Sequence, residues 1–395
     1  MEDKRISVEL EEDLRLRISR IQKNMELSNM DALFVSSNSN IYYCAGRMFR
    51  GYVYVPRQGS PVYLVIRPAV PECSDAINIR KPEQIADVLA ERGINLPPKV
   101  GVECDTLVYS DYLRLTKALG EREYVNASGL MRAVREVKTD YELSRMKEDG
   151  KHQTAAYNRI SRLYTEGMTD IELQIEIERC LRLEGCLGFG RMSGNLMEIN
   201  MGSVLCGDNA DAPGPYDFSM GGAGVDLSLP VGADGRVIRE GETVMVDMNG
   251  NFNGYQSDMT RVWSLGNISG LALRAHQVSI DILRKLETVS VPGFPVSEMV
   301  RIAYGMAEHA GLADYFMGHR QKAGFIGHGV GIELNEMPVV MLRSKELLEE
   351  GMTIALEPKF VIPGTGAVGV ENTYIVTEKG LENITVFPEE ILDLR

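Results

Sequence analysis

Five residues in the second half of the chain have types and spacings that suit metal chemistry. Asp247 ends the apolar run TVMVD, and Asp258 follows eleven residues later; Glu357 lies in TIALEPKF, Glu371 in GAVGVENTYIV, and His328 between glycines in GHGVGIELNEMP. A carboxylate that follows a run of apolar strand residues is costly to bury unless it is paired or metal-bound. Glu357 and Glu371 therefore each demand a partner, either as salt-bridged core acids or as ligands. Taken singly, Asp247 and Asp258 are ordinary strand-end aspartates. Together, four acids and one imidazole form a mixed oxygen and nitrogen set suited to one or two divalent first-row ions. Bridging carboxylates hold two such ions about 3.5 to 4 Å apart, a spacing that lets a shared water ionise near neutral pH and attack a carbonyl.

Those residues need elements to aim them. Asn249-Gly250 and Asn253-Gly254 read as turn formers, so Asp247 and Asp258 are expected on antiparallel neighbours that point both carboxylates into one pocket. Strand-like runs cover 353–361 and 372–377, and helical patterns cover 269–289 and 296–312. Upstream, MRAVREVKTDYELSRMKEDGKHQTAAYNRISRLY reads as one long amphipathic helical pattern with Asp140 as an N-cap; a second helix starts at Thr169 with Glu172 completing a capping box. A sheet with helices packed on one face is the natural assembly. The glycine-rich stretch 207–235 is too long for a simple turn. Its polar residues Asp208, Asp211, Tyr216 and Asp226 either line a pocket for a small substrate or belong to a surface excursion.

The first 130 residues alternate helix and strand patterns: RISRIQKNMELSNM, then DALFVSS, then a hairpin in YVYVPRQGSPVYLVI around Gln58-Gly59. This implies a compact α/β domain over residues 1–135, followed by a second domain over 136–395; a chain of 395 residues exceeds what one core usually organises. The net charge of −14 is spread along the chain, which disfavours a nucleic-acid partner because phosphate neutralisation needs a basic face. Six cysteines without CxxC pairs read as reduced, mostly buried thiols. No run is long enough to span a bilayer and no apolar leader opens the chain, so a cytoplasmic setting without a membrane partner is the default expectation.

The five residues lie in order in a D-x10-D hairpin (Asp247, Asp258), a GHGxG element (His328), an LEP element (Glu357) and a VEN element (Glu371). This pattern resembles the pita-bread metallohydrolases, which include methionine aminopeptidase, prolidase, Xaa-Pro aminopeptidase and creatinase. MDALFVSSNSNIYYCAG is similar to the signature of the creatinase-type amino domain. The resemblance implies an α+β chain: a C-terminal pita-bread domain preceded by a smaller α/β creatinase-like domain, assembled as a homodimer. It further implies that Asp247, Asp258, His328, Glu357 and Glu371 hold two divalent ions, among manganese, cobalt, iron and zinc. Glu357 would exchange a proton with a water bridging them, and the metals and a nearby histidine donor would stabilise the oxyanion. His319 is the histidine near the site in sequence. The implied activity is amide hydrolysis of the Xaa-Pro dipeptidase or aminopeptidase kind, on a dipeptide or another small molecule.

The chain departs from the peptidase pattern twice. No histidine occurs between 160 and 275, ahead of the first aspartate, and the H-E-x-P element is replaced by Asn335-Glu336-Met337-Pro338. An asparagine can donate a hydrogen bond to an oxyanion but cannot protonate a leaving group; Asn335 could equally be a turn residue beside Glu336. The alternative is a non-peptidase on the same scaffold, a creatinase-like C–N hydrolase or a lyase acting on a small zwitterion. A catalytically silent binding module is disfavoured by the complete ligand set. His152, His276 and His309 lie in helical patterns and read as structural or surface residues, and Arg261 and Arg320 as candidate carboxylate anchors or structural ion-pair partners.

Overall fold

A computed structural model describes residues 6–68, 76–194 and 201–395. The chain divides into two compact units at Arg135/Glu136. In the first, helix α1 (Val8–Leu27), capped by the Ser7 hydroxyl, precedes strand β1 (Ala32–Val35) and helix α2 (Asn38–Ala45). Strands β2 (Arg50–Pro56) and β3 (Val62–Arg67) form the expected hairpin, whose turn needs Gly59 at φ 95°. Strand β4 (Ala76–Asn78), helix α3 (Ile85–Ala90), strand β5 (Lys99–Val102), helix α4 (Tyr109–Leu119), strand β6 (Glu123–Asn126) and helix α5 (Ser128–Glu136) complete it. The six strands lie in the order β4-β3-β2-β1-β5-β6. The buried Glu103 carboxylate ties this sheet to α2, accepting hydrogen bonds from Ser37 and Asn40 at the helix N-terminus.

In the second unit, helices α6 (Asp140–Tyr157) and α7 (Asp170–Leu183) start with full capping boxes, Thr139 with Glu142 and Thr169 with Glu172. A four-stranded sheet follows, built from β7 (Gly202–Cys206), β8 (Thr243–Gly250) and β9 (Ser257–Ser264). Helices α8 (Gly270–Val289) and α9 (Val296–His309) come next. A five-stranded sheet then takes β10 (Gly327–Gly329), β11 (Glu336–Val339) and β12 (Thr353–Leu356), is interrupted by the hairpin β13 (Lys359–Ile362) and β14 (Gly366–Gly369), and closes with β15 (Asn372–Thr377) and β16 (Gly380–Asn383). The final strand β17 (Leu392–Asp393) returns to pair with β9. The core of this unit packs Ala275, Ile282 and Leu286 of α8 and Met299 and Val300 of α9 against Ile354, Leu356, Val368 and Tyr374 of the strands. On the other side, α6 is tied to the four-stranded sheet where the buried Tyr157 hydroxyl donates to the Met259 carbonyl at 2.6 Å and the Gln153 amide to that of Met248 at 2.5 Å. Among the described residues, no helix is long and apolar enough to cross a membrane.

Three local expectations change. The long helical pattern breaks at Val137–Thr139, and Thr139 rather than Asp140 caps α6; Asp140 begins the helix itself. Asn249-Gly250 is not a turn but the end of β8, paired with Asp258 and Ser257, and the turn proper is the loop 251–256. The run 353–361 is two strands in two sheets, because Pro358 follows Glu357 and cannot donate to a ladder. Of the described cysteines, Cys44, Cys180, Cys186 and Cys206 are buried thiols whereas Cys104 is exposed; Cys73 lies outside the described residues.

Candidate active site

The β8–β9 register places Asp247 opposite Thr260 and Asn249 opposite Asp258. Since alternate residues share a face, Asp247 and Asp258 are diagonal neighbours on the same face. Glu357 and Glu371 stand at the foot of the β13–β14 hairpin, just outside the pair Leu356 and Asn372 and just below the first rung of the hairpin, Lys359 and Gly369. A bridge between Glu371 and Thr260 joins this foot to the four-stranded sheet, and the Thr260 hydroxyl donates to Glu371 Oε2 at 2.6 Å. His328 arrives on the short strand β10, between β11 and β12. Its glycine neighbours are steric necessities: a Cβ on Gly327 would lie 2.2 Å from the Ala355 carbonyl, and one on Gly329 would lie 2.1 Å from that of Met337.

Two ligand-like triads result. Asp258, His328 and Glu371 bring one oxygen or nitrogen each to within 4.8 Å of one another, and Asp247, Glu357 and Glu371 do the same with three oxygens. Glu371 belongs to both. The first triad is well suited to a divalent ion. His328 Nδ1 lies 3.1 Å from the Gly329 carbonyl, which can only accept, so the proton sits on Nδ1 and the Nε2 lone pair faces Asp258 at 3.8 Å and Glu357 at 3.9 Å. Glu371 Oε1 is buried without a hydrogen-bond partner among the described residues, an orphaned acceptor of the kind an ion would satisfy.

The second triad already encloses a cation. Lys359 Nζ lies 2.8 Å from Asp247 Oδ2, 2.7 Å from Glu357 Oε2 and 2.9 Å from Glu371 Oε2, with its side chain 0% exposed. The Ser219 hydroxyl donates to Glu357 Oε2 and lies 3.2 Å from the same ammonium. A divalent ion does not fit among these three acids while the ammonium is there. Lys359 was not among the residues singled out from the sequence. The signal available was a lysine in the apolar run LEPKFVI, two positions from an acid, because a buried amine needs an anion.

Electrostatics follow from four acids sharing one ammonium. Burial, reinforced by the Glu371 and Asp247 carboxylates, pushes Asp258 well above the usual carboxylate range against the opposing pull of Lys359. Glu371 is pushed up to about 8 by burial and by Glu357, again with Lys359 opposing. Burial works against the Lys359 ammonium, but Asp247, Glu357 and Glu371 outweigh it and hold the amine firmly charged. The cluster is short of positive charge, and the shortage is concentrated on the Asp258 side.

These groups border a cavity of about 220 Å³ lined by Asp247, Asn249, Asp258, His328, Glu357 and Glu371, with Phe218, Met220, Phe325 and Leu334 supplying apolar walls. The glycine-rich stretch does reach it, though not through the residues expected. Asp217, Phe218, Ser219 and Met220 line the cavity. Asp208 instead accepts from the Gly364 backbone, Asp226 from Ser228, and Tyr216 stacks on Phe218. The stretch is folded back on itself by Asn209, whose amide bonds both Ala223 and Gly232, and at Gly222, where φ is 76° and a Cβ would lie 2.4 Å from the Gly232 carbonyl.

His319 is not brought to this cavity: its Nδ1 pairs with Asp211 at 3.0 Å and its ring stacks on Tyr315. Asn335 does line it, with its amide engaged by the Ser193 backbone; Oδ1 accepts from the Ser193 N–H at 3.0 Å and Nδ2 donates to the Ser193 carbonyl at 2.7 Å. Glu336 is structural, buried against the Lys138 ammonium at 3.1 Å. Arg261 is no substrate anchor: its guanidinium is spent on the carbonyls of Thr260, Glu371, Thr385, Phe387 and Pro388 and on Asn372. The backbone N–H of Arg320 donates to Asp211. His276 is a core histidine held between the Glu389 carbonyl and the Gly369 N–H, while His152 stacks on Phe252 and His309 closes α9.

Comparison with known proteins places the fold. The chain is 23% identical over 386 residues to a Xaa-Pro dipeptidase of Pyrococcus furiosus, covering 96% of this chain and 100% of that protein. Its fold matches the solved structures of a Xaa-Pro dipeptidase from Bacillus anthracis (TM-score 0.80, 25% identity, 96% of this chain and 99% of that one) and of Asp271Ala Escherichia coli aminopeptidase P (TM-score 0.73, 15% identity, 98% and 97%). The profile of the creatinase/prolidase N-terminal domain matches residues 17–137. That of metallopeptidase family M24 matches residues 144–378, more than half of the chain and the whole of the acidic site. The two-domain pita-bread architecture read from the motifs is thus the architecture of the protein, and the chain belongs to metallopeptidase family M24.

Proposed function

We propose that the protein is a metal-dependent hydrolase that cleaves an amide C–N bond in a substrate of dipeptide size, in the manner of Xaa-Pro dipeptidases and aminopeptidases. The observation that carries this reading is the meeting of Asp258, His328 and Glu371, with Glu357 beside them, in one small cavity. A divalent ion held there supplies a Lewis acid for the substrate carbonyl and lowers the pKa of water. Manganese, cobalt, iron and zinc all suit such ligands.

The protein's own groups supply the rest. Glu357 Oε2 is fixed by Lys359 and Ser219, which leaves Oε1 directed towards His328 as the atom able to accept a proton from an attacking water and return it to the departing nitrogen. Asn249 offers an amide along the same wall, and Phe218, Met220, Phe325 and Leu334 exclude bulk water. The cavity is smaller than most ligand pockets, which run from about 300 to 1,000 Å³, and this favours a dipeptide or smaller over a long chain. A homodimer belongs to the same proposal and is read by sedimentation.

One observation favours a second reading, a non-peptidase C–N hydrolase. His328 is the one imidazole among the described lining residues, and Asn335 is occupied by Ser193, so the wall has no second imidazole to protonate a peptide leaving group. The test is a screen of chelator-treated protein reloaded with manganese or cobalt, against a panel of Xaa-Pro dipeptides and small amidines. The expected result is metal-dependent release of proline. Turnover of an amidine alone establishes the second reading, and turnover unaffected by the chelator overturns the metal-dependent one.

A further inference from the structure

We propose that the Lys359 ammonium takes the place of one of two metal ions, so that the protein operates with a single divalent ion held by Asp258, His328 and Glu371. This rests on the metallohydrolase reading above and departs from the paired-ion centre to which the five-ligand motif points.

Geometry carries the inference. Three acids converge on one point, and that point is occupied by Nζ of Lys359, 2.7–2.9 Å from an oxygen of each. A lysine has three N–H donors, and here each has its own carboxylate. The ammonium therefore pairs with Asp247, Glu357 and Glu371 at the point an ion would occupy, bringing one positive charge in place of two. An incoming divalent ion would have to displace it against direct charge repulsion and three charge-assisted hydrogen bonds.

The lysine is also built in rather than merely present. Its backbone pairs with Gly369 on the first rung of the β13–β14 hairpin, and its carbonyl accepts from the Met317 N–H at 2.8 Å. Gly369 has φ 139°, and a Cβ there would lie 2.8 Å from the Pro358 carbonyl and 2.9 Å from Lys359 Cα, so the hairpin closes over the lysine only with glycine opposite. The neighbouring Phe360 is fully buried and packed on Phe316. With this anchorage the amine is held between the three acids with its side chain 0% exposed. On the other side of Glu371, the free Nε2 of His328 and the orphaned Glu371 Oε1 still call for an ion.

The test is ion stoichiometry, independent of turnover. Metal-stripped protein is saturated with manganese or cobalt, desalted, and assayed for metal per chain by elemental analysis and native mass spectrometry. We expect one ion in the wild type and two in Lys359→Ala; Asp247→Asn keeps the single ion and His328→Ala loses it, which locates the ion even if the lysine variant folds poorly. Two ions in the wild type overturn the proposal while leaving the metallohydrolase reading intact. A single ion lost in Asp247→Asn and retained in His328→Ala also overturns it, as does a well-folded Lys359→Ala that still binds one. No ion in either wild type or Lys359→Ala overturns both readings.

Discussion

The two halves of the acidic site use the same kinds of residues to opposite ends. Around Asp258 and His328, the carboxylate is pushed up by burial and by its acidic neighbours, the imidazole presents a lone pair, and Glu371 Oε1 has no partner among the described residues. Around Asp247 and Glu357, one oxygen of each carboxylate is held by the Lys359 ammonium, and Ser219 adds a hydrogen bond to that of Glu357. A set of ligand-like residues in the right order does not by itself say how many ions it holds. One lysine two residues from a ligand can change the count, because a buried carboxylate cluster needs positive charge from whatever source is nearest.

This contrast can be broken at several points. The largest effect is expected from Glu357→Gln, which keeps the bonds' shape but removes the proton acceptor: kcat should fall by about 10² to 10⁴-fold, with the ion retained. An activity loss matched by loss of the ion would instead make Glu357 primarily a ligand. Next is Lys359→Met, which leaves the buried Glu357 and Glu371 and the partly exposed Asp247 without their cation. In metal-free buffer, urea unfolding should show a loss of about 3 to 5 kcal/mol, and added manganese should restore much of it in this variant. Unchanged stability would show that the amine is not the charge on which the acids depend.

Asp149 gives a reference for a buried carboxylate with neither ion nor ammonium on it. Burial pushes it to about 8, and its Oδ1 has no hydrogen-bond partner among the described residues. The folded state therefore holds a proton that the unfolded chain releases above its ordinary pKa of 3.8. The stability contributed by this group is greatest below that value, falls as pH rises towards about 8 and levels off above, with a slope of at most about 1.4 kcal/mol per pH unit. Asp149→Asn should flatten this slope between pH 5 and 7.5, and parallel unfolding curves for the two proteins would show that the group does not carry the dependence. The smallest effect is at Asn335. Asn335→Ala should lose about 1 kcal/mol per hydrogen bond to Ser193, and Asn335→His should bring no gain in peptide turnover; a gain would restore a lost proton donor as the explanation of the asparagine.

Much of this was readable before the structure because it depends on local pattern. The capping box at Thr169, the hairpin around Gly59 and the apolar strand runs that carry the acids are short-range signals, and the order of the five motif residues shows the domain architecture. What escaped is tertiary. Lys359 looks like an ordinary strand residue until the β13–β14 hairpin folds its amine back between Glu357 and Glu371. Nearness in sequence suggested His319, but a turn directs it to Asp211. The glycine-rich stretch reaches the cavity through Phe218 and Ser219 because Asn209 folds it there, a contact that no periodicity encodes.

The most direct test of the account is anomalous diffraction from crystals of the wild-type protein grown with saturating manganese. It predicts one peak, among Asp258, His328 and Glu371, with Lys359 Nζ still between Asp247, Glu357 and Glu371. Two peaks, the second among Asp247, Glu357 and Glu371 with the lysine swung aside, would contradict it.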